Sequence, residues 1–218
     1  PVTDDVGDNR TSHAGLGALT VDTFEKVLLV PADGADTVNV VGDLRASGLQ
    51  ALTVSLVEAS ASADAVTVTL LDSADTVTLS GASVLSVATN QRLVSGLHPP
   101  TSVTLVPTNS VAWAQGQTTV ISAAGASDLL KIETLAGADV VNVKSLAGNT
   151  IVNGGADADT VNVVSNAAGV VGNPNSNSGG TLNSIGALLT VNGNDAAGGN
   201  DVLYVDETGD AAACSGTR

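Results

Sequence analysis

Apolar and polar residues alternate along this chain in short runs, and Gly, Ala, Asn and Asp separate the runs at intervals of about 10 residues. The runs predict strands at Lys26–Val30, Thr37–Val41, Ala51–Val57, Val66–Leu71, Asp75–Ser80, Leu130–Glu133, Asn149–Asn153 and Ala187–Gly193. Period-two alternation places one face of each strand inward and one outward. It predicts Val38, Val40, Val77, Leu79, Val141, Val143, Val161, Val163, Leu203 and Val205 inside, with Asn39, Thr78, Asn142, Asn162 and Tyr204 outside. No segment holds helical spacing over three turns without a Gly or a β-branched run interrupting it.

The strands belong to a repeat. ADVVNV at Ala138–Val143 recurs as ADTVNV at Ala158–Val163 and Ala35–Val40, as ADTVTL at Ala74–Leu79, and more loosely as NDVLYV at Asn200–Val205. The motif Asp residues Asp36, Asp75, Asp139, Asp159 and Asp201 stand 39, 64, 20 and 42 residues apart. These steps are close to whole multiples of about 20 residues, the length of one turn in a stacked repeat. The chain is therefore expected to be all-β, a parallel β-helix or β-solenoid of roughly 20 residues per coil with two or three short strands in each. The competing architecture is a pair of tandem, calcium-dressed β-sandwiches of about 100 residues.

A larger period is visible as well. Thr3–Asn9 (TDDVGDN) resembles Val205–Ala211 (VDETGDA) at an offset of 202 residues. Residues 1–218 are thus expected to form a single segment of a longer repetitive chain. Asp4, Asp5 and Asp8 cluster as in a turn, and Pro31–Gly34 is a turn by composition. Gly96–Ser110 holds three of the six prolines, which disfavour a central ladder and predict a loop or decorated protrusion. Asn166–Gly180 is rich in Asn, Ser and Gly and predicts a second loop.

Composition narrows the picture. Val, Ala and Leu dominate the apolar residues, with no Met and one each of Phe24, Trp113 and Tyr204, which suits a narrow core of stacked aliphatic side chains. A net charge of −15 argues against nucleic acid and against anionic membranes as partners, and no apolar run is long enough to span a bilayer. The lone Cys214 forms no disulfide within the chain and reads as an incidental thiol or as one paired outside it.

Gly154–Val163 (GGADADTVNV) resembles the calcium-binding repeats of haemolysin-type (RTX) β-rolls, with Asp157 where that pattern has a Gly. The resemblance implies calcium held by Asp157, Asp159 and Asp139, since calcium takes six to eight oxygens. The residues themselves allow another reading, in which each Asp accepts backbone hydrogen bonds where the chain turns into a strand. Over its whole length the chain is similar to very long repetitive extracellular proteins of bacterial, algal and stramenopile surfaces. The residues that carry this are the hexapeptides, Asp4–Asp8, Asp206–Asp210 and Ser184–Gly193. The similarity implies an extracellular or cell-surface structural role, as part of a filament or stalk assembled from copies or segments of the same chain.

Some parallel β-helices degrade pectin, but such sites need clustered carboxylates with a base, and sugar clefts usually have aromatic platforms. His13 and His98 sit in Gly- or Pro-rich surroundings and the three aromatics are scattered, so no enzyme is expected. The Thr residues of Val66–Thr69 and Thr76–Thr78 suggest part of a flat ice-binding array, without regular continuation. A calcium-dependent adhesin, binding a glycan or a protein through a loop, is the competing function. Asn9-Arg10-Thr11 is an N-glycosylation acceptor, and Thr101, Ser102 and Thr108 lie beside prolines as O-linked sites do, so covalent glycans are expected.

Overall fold

A computed structural model describes residues 3–5, 24–31, 34–57, 62–87, 103–114, 116–122, 127–174, 177–194 and 199–211. The described residues are all-β, with one 3₁₀ turn at Arg45–Ser47. The strands are β1 (Thr3–Asp5), β2 (Lys26–Leu29), β3 (Thr37–Val41), β4 (Ala51–Ser55), β5 (Ala65–Thr69), β6 (Thr76–Val87) and β7 (Val103–Trp113). They continue with β8 (Gly116–Ile121), β9 (Leu129–Glu133), β10 (Val140–Val143), β11 (Asn149–Asn153), β12 (Thr160–Val163), β13 (Leu189–Asn192) and β14 (Val202–Val205).

Two sheets form. Sheet I runs β1-β3-β5-β9-β11-β13, and sheet II runs β14-β12-β10-β6-β7-β8-β4-β2. From β2 onward consecutive strands alternate between the sheets, except that β6, β7 and β8 all enter sheet II. Pairing is parallel throughout apart from β1 with β3, β6 with β7 and β7 with β8. Both sheets are therefore mixed, and both keep open edges.

The register lines up like residues. Val38, Val66, Leu130, Thr150 and Leu189 form one inward row of sheet I, and Val40, Val68, Ile132, Val152 and Val191 form the next. Opposite them, Leu79, Val143, Val163 and Val205 form a row of sheet II. The inward residues make one continuous aliphatic core that includes fully buried Leu52, Val54, Val66 and Leu79. Short β-branched side chains suit a pleated, half-buried surface, which explains how Val fills most of this core, with Trp113 its one buried aromatic among the described residues.

The antiparallel insertion of β7 and β8 is the main irregularity. The loop expected at Gly96–Ser110 is instead strand from residue 103 onward, and β8 has no counterpart among the expected strands. Pro107 is tolerated because β7 pairs on both sides only from Thr108 onward. Before that it pairs with β6 alone, and its other side needs no donor. Where β7 crosses the core, buried Asn109 accepts from the Ala147 N–H at 3.0 Å and donates to the Gly148 carbonyl at 3.0 Å and to Thr150 Oγ1 at 3.3 Å. A Cβ at Gly81, its partner in β6, would come within 2.6 Å of Asn109 Oδ1, so only glycine leaves space for that amide.

Four further expectations need correction. Residues 3–5 are a strand pairing with β3, because the free edge of sheet I offers backbone partners to any extended segment nearby. Leu203 and Val205 continue the inward rows but are 53% and 56% exposed, because β14 is an edge strand. Asn142 and Asn162 point away from the core yet are buried, since residues 166–174 lie across them. The Thr pairs of β5 and β6 lie in different sheets and cannot make one array.

The buried and edge leucines should respond differently to truncation. Leu52→Ala leaves a cavity in a fully buried row and should cost about 2–5 kcal/mol in denaturant unfolding, whereas Leu203→Ala should cost less than about 1 kcal/mol.

Candidate functional site: two ladders of buried aspartates

An Asp stands immediately before the first residue of β3, β5, β6, β9, β10, β12 and β14. Because those strands stack in register, the seven carboxylates fall into two columns: Asp36, Asp64 and Asp128 on sheet I, and Asp75, Asp139, Asp159 and Asp201 on sheet II. Within a column each Asp N–H donates to the carboxylate of the next strand's Asp. On sheet II, Asp75 N donates to Asp139 Oδ1 at 2.6 Å, Asp139 N to Asp159 Oδ1 at 2.9 Å, and Asp159 N to Asp201 Oδ1 at 3.0 Å. On sheet I, Asp36 N donates to Asp64 Oδ1 at 2.8 Å and Asp64 N to Asp128 Oδ1 at 3.2 Å.

The carbonyls complete the pattern. The N–H of the following strand's first residue donates back to the preceding Asp carbonyl, as with Val140 N to Asp75 O, Thr160 N to Asp139 O and Val202 N to Asp159 O, each at 2.8 Å. Parallel pairing thus extends one residue past the strand ends, with side chains substituting for backbone acceptors where the chain bends. A buried N–H left without an acceptor costs about 1–3 kcal/mol, which gives the ladders their structural value.

The glycines of the Gly154–Val163 motif belong to the same device. A Cβ at Gly154 would lie 2.6 Å from Asp159 Oδ2 and 3.0 Å from the Gly193 carbonyl. Gly155 has φ of 96° and packs on the Leu135 carbonyl. Asp157 itself sits in the left-handed region with φ of 79°, and its Oδ2 accepts from Gly137 N at 3.2 Å.

Of the calcium ligands implied by resemblance, Asp139 and Asp159 are neighbours in one ladder, and Asp157 lies outside it on the preceding turn. Each has one oxygen engaged by a backbone N–H. Among the described residues no group of three or more His, Cys, Asp or Glu side chains is placed to hold a metal ion. Of the glycan acceptors, Asn9, Thr101 and Ser102 lie outside the described residues, as do His13, His98 and Cys214. Thr108 is half-buried in β7, and its Oγ1 is shielded from solvent.

Two features had little sequence signal. Asp64 and Asp128 complete the sheet I ladder; Asp64 belongs to Ala63–Val68 (ADAVTV), a further hexapeptide of the same type, whereas the only mark of Asp128 is its place directly before an alternating run. On the outer face of sheet II, Asn142 exchanges hydrogen bonds with the Gly169 backbone, and Asn162 donates to Asn142 Oδ1 at 3.1 Å and to the Pro174 carbonyl at 2.8 Å. The expected Asn166–Gly180 loop is thereby clamped onto the sheet. Sheet I carries an outer ladder of its own, from Asn192 to Asn153 to Glu133, and Glu133 pairs with Lys131.

Burial pushes the Asp139 carboxyl up to about 6, against the lowering effect of the Asp75 N–H and the Thr134 hydroxyl; the Asp75 and Asp157 carboxylates add to the rise. Its Oδ2 is buried without a hydrogen-bonded partner, so a proton there leaves Oδ1 free to keep its ladder bond.

Comparison of the chain with known protein families, with curated proteins and with solved structures finds no match.

The raised value gives a signed pH dependence. A folded-state pKa of about 6 against 3.8 unfolded means that the native state binds the proton more tightly, so Asp139 favours folding more as pH falls through 6 towards 4. The effect is on the order of 2–3 kcal/mol between those limits. Melting followed by circular dichroism should show a higher midpoint at pH 5 than at pH 7.5. Asp139→Asn, which keeps a carbonyl acceptor and drops the charge, should raise stability at pH 7.5 and flatten this dependence.

Proposed function

We propose that this chain is a passive building block of an extracellular filament or cell-surface stalk, built as a parallel β-solenoid of about 20 residues per coil, and that it carries out no chemistry. The observation behind this reading is the ladder on sheet II. Asp139 and Asp159, 20 residues apart, sit on adjacent parallel strands in register, joined by a 2.9 Å hydrogen bond. A unit that advances by one strand spacing for each 20 residues yields a rod whose length scales with copy number. The resemblance to long repetitive surface proteins supports the same role, and so does the acidic coat rich in amides and hydroxyls, which keeps a rod solvated and able to carry glycans.

The alternative is a calcium-dependent adhesin that binds through a loop. The clamping of residues 166–174 onto sheet II gives that segment a structural duty and favours the filament reading.

Imaging of the native assembly is the direct test. Long fibres with a regular axial repeat support the structural role, and isolated particles that capture a glycan or protein at the surface oppose it. Chelation separates the two classes independently: with the ladder carboxylates serving backbone N–H groups, a calcium chelator should leave the melting midpoint unchanged. A drop of several degrees would instead mark ion binding by the folded state.

A further inference from the structure

Among the described residues β14 is the outermost strand at one side of sheet II. Leu203 and Val205 extend the inward rows of Val161 and Val163 but face solvent, Tyr204 on the outer side is 37% exposed, and no described strand pairs with the outer edge of β14. Asp201 accepts from Asp159 N, but among the described residues no further carboxylate follows to accept from its own N–H. Whatever covers this end should bring an extended strand with two inward aliphatic residues, preceded by a side chain that can accept from an N–H.

The opposite edge of sheet II has those properties. β2 is its other edge strand, and the pairing pattern makes β2 and β14 run in the same direction. Glu25 stands directly before β2, where the ladder strands carry Asp, and its carbonyl already accepts from Gln50 N and Ala51 N as the ladder carbonyls do. Val27 and Leu29 face inward, and Leu28 is 65% exposed on the outer side. The β2 edge brings one cation, Lys26, beside Glu25. Residues 145–217 contain no Lys or Arg, and Asp201, Asp206 and Glu207 surround β14.

We propose that the β14 end of this chain receives the β2 edge of a second copy, by parallel strand addition to sheet II. With Glu25 beside Asp201, Val27 stacks on Leu203, Leu28 on Tyr204 and Leu29 on Val205, and the Glu25 carboxylate accepts from the Asp201 N–H. The two patches differ, so the contact is heterologous and propagates as an open series of copies related by translation along the stack. The inference rests on the filament reading and specifies its contact.

The test is a mixing experiment on the 218-residue chain by sedimentation velocity. The unaltered chain should form a concentration-dependent ladder of oligomers. Leu203→Lys blocks the β14 end and Val27→Lys blocks the β2 end, so each variant alone should stay monomeric, while an equimolar mixture should form dimers and nothing longer. Tyr204→Lys and Leu28→Glu, at exposed positions that tolerate substitution, repeat the design where circular dichroism shows that either first variant is misfolded. A monomeric unaltered chain at every concentration would overturn the proposal, as would a Val27→Lys variant that still self-associates, since that marks a symmetric contact. Native fibres together with variants that assemble normally would remove this contact and leave the filament role. The dimer result with isolated particles in native images would remove the filament role and leave the contact.

Discussion

Seven strands start directly after an Asp, and within the two ladders the N–H of that Asp would otherwise lack an acceptor. That constraint shapes this protein more than any other. Asp meets it because its side chain is short enough to reach the N–H of the neighbouring strand's first turn while its own N–H reaches the next carboxylate. The result is a column of side-chain hydrogen bonds that continues the parallel ladder beyond the strand ends and fixes each strand's register against its neighbour.

Columns of like charge in a low-dielectric position carry a cost. Asp139, 1% exposed and close to the Asp75 and Asp157 carboxylates, shows it as a raised pKa. Backbone N–H donors oppose that rise, each ladder carboxylate accepting from one of them. The neighbouring glycines follow from the same geometry. Gly154 faces the Asp159 carboxylate so closely that any side chain would displace it.

The core obeys a simpler rule. Two sheets packed by Val, Leu and Ile rows give a thin aliphatic interior that repeats from strand to strand, and the outer faces are completed by amide contacts. The antiparallel insertion of β7 and β8 interrupts that regularity, and Asn109 holds it to the 147–148 turn and to Thr150 by filling a buried polar position with four hydrogen-bonding contacts. Buried polar networks of this kind specify one arrangement where an apolar core tolerates several.

The sequence by itself determined the all-β class, the strands β3 and β11 to the residue, and the inward faces from Val38 through Val163, because period-two alternation is a local property of the chain. It also showed that Asp139 and Asp159 are equivalent positions one repeat apart. Tertiary structure decided what alternation cannot encode. Whether Leu203 is buried depends on whether another strand follows β14, and whether Asn142 meets water depends on where residues 166–174 lie. Pro107 enters a strand because only one side of β7 is paired there. Asp128 joins a ladder because strands far apart in sequence stack in register, a non-local fact that no ADTVNV-type hexapeptide marks there.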